Sequence, residues 1–113
     1  MTGNDVHRVR QGQIWWANLP PPVGRRPVLV LTRSSAIESL TNVTIAPLTR
    51  TMRSIPSEVI MKPADGVPTS CAISLENITT IRLAILDKRI TDLAQPKLLE
   101  VFAAIRYVFN MQK

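Results

Sequence analysis

The sequence predicts a mainly β (α+β) fold, a small barrel of five or six short strands closed by one C-terminal amphipathic helix. Short runs of β-branched, aromatic and aliphatic residues recur between Pro- and Gly-marked breaks as far as residue 81. From Pro96 onward the pattern changes, and Leu98, Leu99, Val101, Phe102, Ile105, Val108 and Phe109 follow helical spacing. A chain of 113 residues bounds the rest, because that length holds one compact core and little else.

Residues 1–9 are polar and are expected to form a flexible tail ahead of a single domain over 10–113. Residues 12–19 read as a first strand, with Ile14 and Trp16 on one face and Trp15 and Ala17 on the other. Trp16 is expected in the core beside Ile14, which leaves Trp15 as the tryptophan able to meet a partner. Pro20-Pro21-Pro22-Val23-Gly24 is a stiff connector that cannot join a sheet ladder. Residues 27–32 form a strand buried on both faces, with Pro27 tolerated at its first position.

Residues 34–40 are expected to form a short helix capped by Ser34. Residues 42–48 alternate as a strand, and Pro47 near its end implies an edge or a bulge. A further strand over 57–62 ends at the turn signal Pro63-Ala64-Asp65-Gly66. Two short strands over 71–75 and 78–81 flank a bend at Glu76-Asn77. In the helix, Leu98, Phe102, Ile105 and Phe109 are expected to pack in the core or against a second copy, and Pro96 suits a first helical position.

Charge narrows the function classes. Net charge is +6, and residues 1–62 carry eight Lys/Arg against three acids, whereas residues 63–113 carry six against five. Seven of those eight are arginines, whose planar guanidinium binds phosphate in a bidentate way and stacks on bases. A nucleic-acid partner fits this bias; a merely solubilising surface remains open. The basic residues follow no helical face, so an anionic membrane is a poor match, and no apolar run is long enough to span a bilayer. The N-terminus has no hydrophobic stretch resembling a secretory signal, and a single Cys71 cannot form an intrachain disulfide. Cytoplasmic residence is expected.

One His and one Cys do not make a zinc site, no carboxylate cluster points to magnesium, and four glycines provide no phosphate loop. No cofactor or metal is expected. What remains is Arg and hydroxyl chemistry. Arg26 precedes the buried strand and Thr49 closes Ala46-Pro47-Leu48-Thr49. If those strands are neighbours, a guanidinium and a hydroxyl meet at one rim, which is enough to bind a phosphodiester and stabilise charge on it. Arg and Thr are common at strand ends, so a structural role stays open on this pattern alone.

Four blocks in order resemble the MazF/PemK family of toxin endoribonucleases. They are Arg10-Gln11-Gly12-Gln13-Ile14-Trp15, Arg26-Pro27-Val28-Leu29-Val30-Leu31, Ala46-Pro47-Leu48-Thr49 and Leu75-Glu76-Asn77-Ile78-Thr79-Thr80-Ile81. The resemblance implies a homodimer of SH3-like (CcdB-like) barrels that cuts single-stranded RNA without a metal, leaving 2′,3′-cyclic phosphate and 5′-hydroxyl ends. It implies catalytic roles for Arg26 and Thr49, with Arg25, Arg50, Arg53, Trp15, Ser70 and Asn77 as RNA-binding residues. It also implies an antitoxin partner whose acidic, flexible segment occupies the RNA groove. Three departures bear on RNA preference: Gln13 stands where the family often has an acid, the Pro20 connector is short, and Cys71 aligns with a family serine beside Ser70. Two alternatives remain, a gyrase-poisoning toxin on the same barrel and a nucleic-acid-binding module without chemistry.

Overall fold

The computed structural model describes residues 9–111. Seven strands form one antiparallel, barrel-like sheet: β1 (Gln13–Asn18), β2 (Arg25–Val30), β3 (Asn42–Thr49), β4 (Glu58–Met61), β5 (Cys71–Ser74), β6 (Thr79–Arg82) and β7 (Leu86–Asp92). A one-turn helix α1 (Ser34–Ile37) links β2 to β3, and the long helix α2 (Gln95–Val108) closes the chain. The strand order is β4-β5-β3-β2-β1-β7, with β6 also paired to β3.

The central strands are apolar on both faces because two cores lie on either side of them. Ile14, Leu29, Ala46, Leu48, Met61 and Ile73 join Val101 and Ala104 of α2 in one cluster. Trp15, Ala17, Val28, Val30, Val43 and Ile45 pack with Ile37, Leu83 and Leu86 in the other. This is why Val28, Leu29 and Val30 form an unbroken apolar run rather than an alternating one. Val9, the one described residue of the expected tail, is fully buried in the second cluster; residues 1–8, His7 included, lie outside the described part.

Pro47 marks a change of partners. Along one edge β3 pairs with β6 through Asn42 to Ile45 and then with β5 through Leu48 and Thr49, and Pro47 falls between the two ladders. The expected interruption is therefore real, and its cause is that a residue without an N–H sits where the edge has no partner to serve.

Three expectations need correction. The strand β7 was not foreseen: its core is Asp87-Lys88-Arg89, mostly exposed at the sheet edge, so charge hid a ladder that pairs with β1 from Gln13 to Ala17. Helix α1 ends at Ile37, and Ser34 does not cap it; the Ser34 hydroxyl accepts the Gln11 N–H at 2.9 Å instead. In α2, where packing in the core or against a second copy was expected, Val101 and Ala104 are buried with Leu98, Ile105 and Val108 packed beside them, while Phe109, just past the helix, is 57% exposed and so open to a second copy. The tryptophans are reversed. Trp15 is 3% exposed, with its indole N–H donating to Gln13 Oε1 at 3.0 Å, whereas Trp16 is half-exposed. Trp16 does share the Ile14 face, but at that point only the other face, carrying Trp15 and Ala17, is still fully buried.

Gly66 ends the 3-10 turn Pro63–Asp65 with φ 103°, and a Cβ there would lie 2.8 Å from Thr91 Cβ on β7. Gly66→Ala should therefore destabilise the fold by about 1–3 kcal/mol, read as a lowered thermal midpoint.

Candidate functional site

The strand β2 carries its first residues out of the core and its last ones into it. Arg25 is exposed, Arg26 and Pro27 are half-buried, and Val28 to Val30 are fully covered. The pairing of β2 with β3 sets Val28 opposite Pro47, Leu29 opposite Ala46 and Val30 opposite Ile45. Continued two residues outward, the same register brings Arg26 opposite Thr49. Sequence reasoning supposed that these two strands are neighbours; they are, and their ends meet at one rim.

Two clefts share that rim. One, of about 490 Å³, is lined by Trp16, Arg25, Arg50, Thr69 and Cys71 among others. The second, of about 400 Å³, is lined by Val23, Pro47, Arg53, Ser74 and Asn77. Arg26, Leu48, Thr49 and Thr51 border both. The Arg–Thr pair thus stands where the two clefts join, so a chain laid across the rim would place one backbone group against the pair and its neighbours to either side.

The four arginines of the rim are not equivalent. Arg26 Nη1 donates to the Leu48 carbonyl at 3.2 Å, while its buried Nε has no hydrogen-bond partner. A guanidinium donor held without a protein acceptor is an exception to the usual pairing of buried polar groups, and such exceptions concentrate at functional sites. Arg50 is exposed on the first cleft. Neither has a carboxylate partner among the described residues. Arg25, by contrast, lies over the Trp16 ring, 4.6 Å from its centroid, and is ion-paired to Asp87. Arg53 is bound through Nε and Nη2 to Glu58 Oε2, at 3.0 and 2.9 Å. The positive field at the rim therefore comes chiefly from Arg26 and Arg50.

Thr49 ends β3 opposite Ala72 on β5. Its Oγ1 accepts the Thr51 N–H at 3.2 Å, which leaves the hydroxyl proton free to be donated elsewhere. Asn77 Nδ2 donates to Ser74 Oγ at 2.8 Å, and both line the second cleft. Two of the expected RNA-binding residues are not brought to the clefts: Trp15 is in the core, and exposed Ser70 is absent from both linings while Thr69 and Cys71 flank the first. Burial pushes the Cys71 thiol up from its ordinary range, so it is protonated and inert at neutral pH.

Sequence reasoning missed Trp16, Asp87, Thr51 and Glu58. Trp16 was open to discovery had the cover of its own face been seen to thin beyond Ile14, while Ala17 on the other face stays buried. The two acids pair with arginines across long-range contacts, and no local pattern announces them. Among the described residues no three of His, Cys, Asp and Glu gather closely enough to hold a metal ion, and no helix is long and apolar enough to cross a membrane.

Comparison with known proteins agrees with this geometry. Residues 10–109 match the family described as PemK-like, MazF-like toxin of type II toxin–antitoxin system. The chain is 34% identical to the probable endoribonuclease MazF5 of Mycobacterium tuberculosis over 104 residues, covering 91% of this chain and 94% of that one. It is 35% identical to the probable endoribonuclease MazF2 of the same species, over 87% of this chain and 95% of the relative. The solved M. tuberculosis toxin MazF-mt6 superposes with a TM-score of 0.82 at 33% identity, covering 89% of this chain and 99% of that structure. A mycobacterial endoribonuclease solved in complex with its cognate antitoxin has the same fold, with a TM-score of 0.83 at 20% identity over 93% of this chain and 98% of that one.

Proposed function

The chain belongs to the PemK-like, MazF-like toxin family, and on that premise we propose that it is a toxin endoribonuclease acting on single-stranded RNA. In this reading the ribose 2′-hydroxyl attacks the adjacent phosphorus, the bond to the 5′-oxygen breaks, and no metal ion takes part. The products are a 2′,3′-cyclic phosphate and a 5′-hydroxyl. The observation that carries the proposal is the pair Arg26 and Thr49 at the join of the two clefts, with no carboxylate partner for Arg26 among the described residues.

A guanidinium offers donors and no acceptor, so Arg26 is no general base; its role is to stabilise charge growing on the phosphoryl oxygens. The Thr49 hydroxyl, its oxygen already occupied by the Thr51 N–H, orients the phosphate by donating to it. Arg50 contacts the flanking backbone. Trp16 with Arg25 forms a lip on which a base can stack, and Asn77 with Ser74 meets a base edge in the second cleft.

The physiological antagonist is an antitoxin with an acidic, flexible segment, the electrostatic complement of the uncompensated arginines. A cytoplasmic homodimer is part of the same reading, supported by the exposed apolar side chains Leu99, Tyr107 and Phe109 on α2. A gyrase-poisoning role has no support in the relatives, which are named endoribonucleases.

The test is incubation of purified protein with an unstructured RNA in EDTA. Cleavage should proceed, and the new 5′ ends should accept labelled phosphate from a kinase without prior phosphatase treatment. Intact RNA, 5′-phosphate ends, or a need for added divalent metal would each overturn the proposal.

A further inference from the structure

The loop over residues 50–57 forms a wall of the second cleft, and one buried side chain holds it. The Glu58 side chain has no exposed surface, and both of its oxygens are bound by Arg53. Oε1 accepts the Arg53 backbone N–H at 3.0 Å, while Oε2 accepts Nε at 3.0 Å and Nη2 at 2.9 Å. The Glu58 N–H in turn donates to Ile55 O at 2.9 Å, and Ser54, between Arg53 and Ile55, sits at φ 53°. Residues 53–58 are thus closed into a tight loop whose centre is a carboxylate. That carboxylate cannot be uncovered without leaving a buried charge unpaired, so the loop is stiff.

At its other end the same loop reaches the Thr49 hydroxyl that orients the phosphate. The Thr51 N–H bonds Thr49 Oγ1 at 3.2 Å, and Thr51 borders both clefts. Only Met52 separates the Thr49–Thr51 contact from the anchor at Arg53 and Glu58. A loop free to swing would release the Thr51 N–H, and the hydroxyl would then rotate among alternative partners.

We propose that Glu58 is a positioning residue: by pinning Arg53 it fixes the loop, keeps the Thr51 N–H on Thr49 Oγ1, and so aims the hydroxyl proton into the groove. The pair has a second consequence. It withholds the Arg53 charge from RNA, so Arg53 is a structural cation rather than a phosphate contact. This inference rests on the endoribonuclease reading of the site.

Glu58→Gln separates these effects, because an amide always presents an NH2 to one of the Arg53 donors. The measurements are steady-state cleavage of a short RNA, and binding of the same oligonucleotide carrying 2′-O-methyl at every ribose, as a function of salt. Expected for Glu58→Gln are a kcat about tenfold lower or more, a KM that does not rise, and a binding slope in log salt steeper by about 0.7 as the released Arg53 meets phosphate. Arg53→Met/Glu58→Met leaves neither a buried charge nor a freed cation, and should lose kcat with no steepening. If Glu58→Gln fails to fold, the double variant decides alone. Wild-type kcat in a folded variant, or a lower kcat matched by a higher KM with unchanged slope in Glu58→Gln, overturns the proposal. A wild type that cuts no RNA overturns the endoribonuclease reading and this one with it, whereas a wild type that cuts alongside an equally active Glu58→Gln removes only the positioning role.

Discussion

Arg26→Ala is expected to lower kcat by about a hundred- to a thousandfold while leaving the fold intact. The size follows from three features acting together. The guanidinium is half-buried at the rim, no carboxylate among the described residues compensates its charge, and its Nε is buried without an acceptor. It is therefore a donor fixed before the reaction starts, in a region where water screens little. Its one intramolecular hydrogen bond, Nη1 to Leu48 O at 3.2 Å, is worth about 1 kcal/mol, too little to unfold a domain of this size. Unfolding therefore cannot account for the loss, and an unchanged thermal midpoint is the control. Arg26→Lys should recover only a small part of the rate, since an ammonium keeps the charge but not the planar fork. The diagnostic is which constant moves. A fall in kcat and kcat/KM together marks an interaction made in the transition state, whereas a rise in KM alone would reduce Arg26 to a phosphate tether. Activity within about threefold of wild type would remove it from the mechanism.

The pair at the rim was legible because it is a consequence of register, and register follows from patterns a sequence displays. The apolar run Val28, Leu29 and Val30 and the alternation ending at Thr49 each fix a strand, and sequence neighbours often pair. What was not legible depends on contacts between distant segments. Asp87 neutralises Arg25 from a strand whose charged core disguised it, so both the strand and the ion pair were missed for one reason. Glu58 looked like an ordinary charged residue at the start of a strand, yet its side chain is wholly buried. Trp15 and Trp16 were assigned by alternation, which correctly separates two faces. It does not say which face stays covered along the strand: the Trp15 face remains buried through Ala17, while the Ile14 face is only partly covered once it reaches Trp16. The arginine count likewise read true in sum and false in detail, because compensation by acids is a property of the folded chain.

Arg53→Met is expected to destabilise the protein by about 3–5 kcal/mol, far more than removal of a half-exposed surface cation usually would. Most exposed ion pairs contribute less than about 1 kcal/mol, and Arg53 itself is 55% exposed. The difference lies with its partner. Glu58 has no contact with solvent, and Arg53 supplies both side-chain donors to it; without them the carboxylate keeps only the Arg53 backbone N–H. The penalty is thus mostly that of a stranded buried charge, and only in small part the strength of the lost pair. A double-mutant cycle distinguishes the two. Arg53→Met/Glu58→Met should regain most of the loss, leaving the double variant within about 1–2 kcal/mol of wild type, because an apolar pair of similar length can replace a buried ion pair without a stranded charge. Chemical denaturation of the four proteins provides the measurement, with equal m-values confirming a common unfolding reaction. If the single variant loses less than about 1 kcal/mol, Glu58 is reached by water and the loop next to Thr49 is not locked. A double variant as unstable as the single would mean instead that the pair itself, and not the stranded carboxylate, holds the loop.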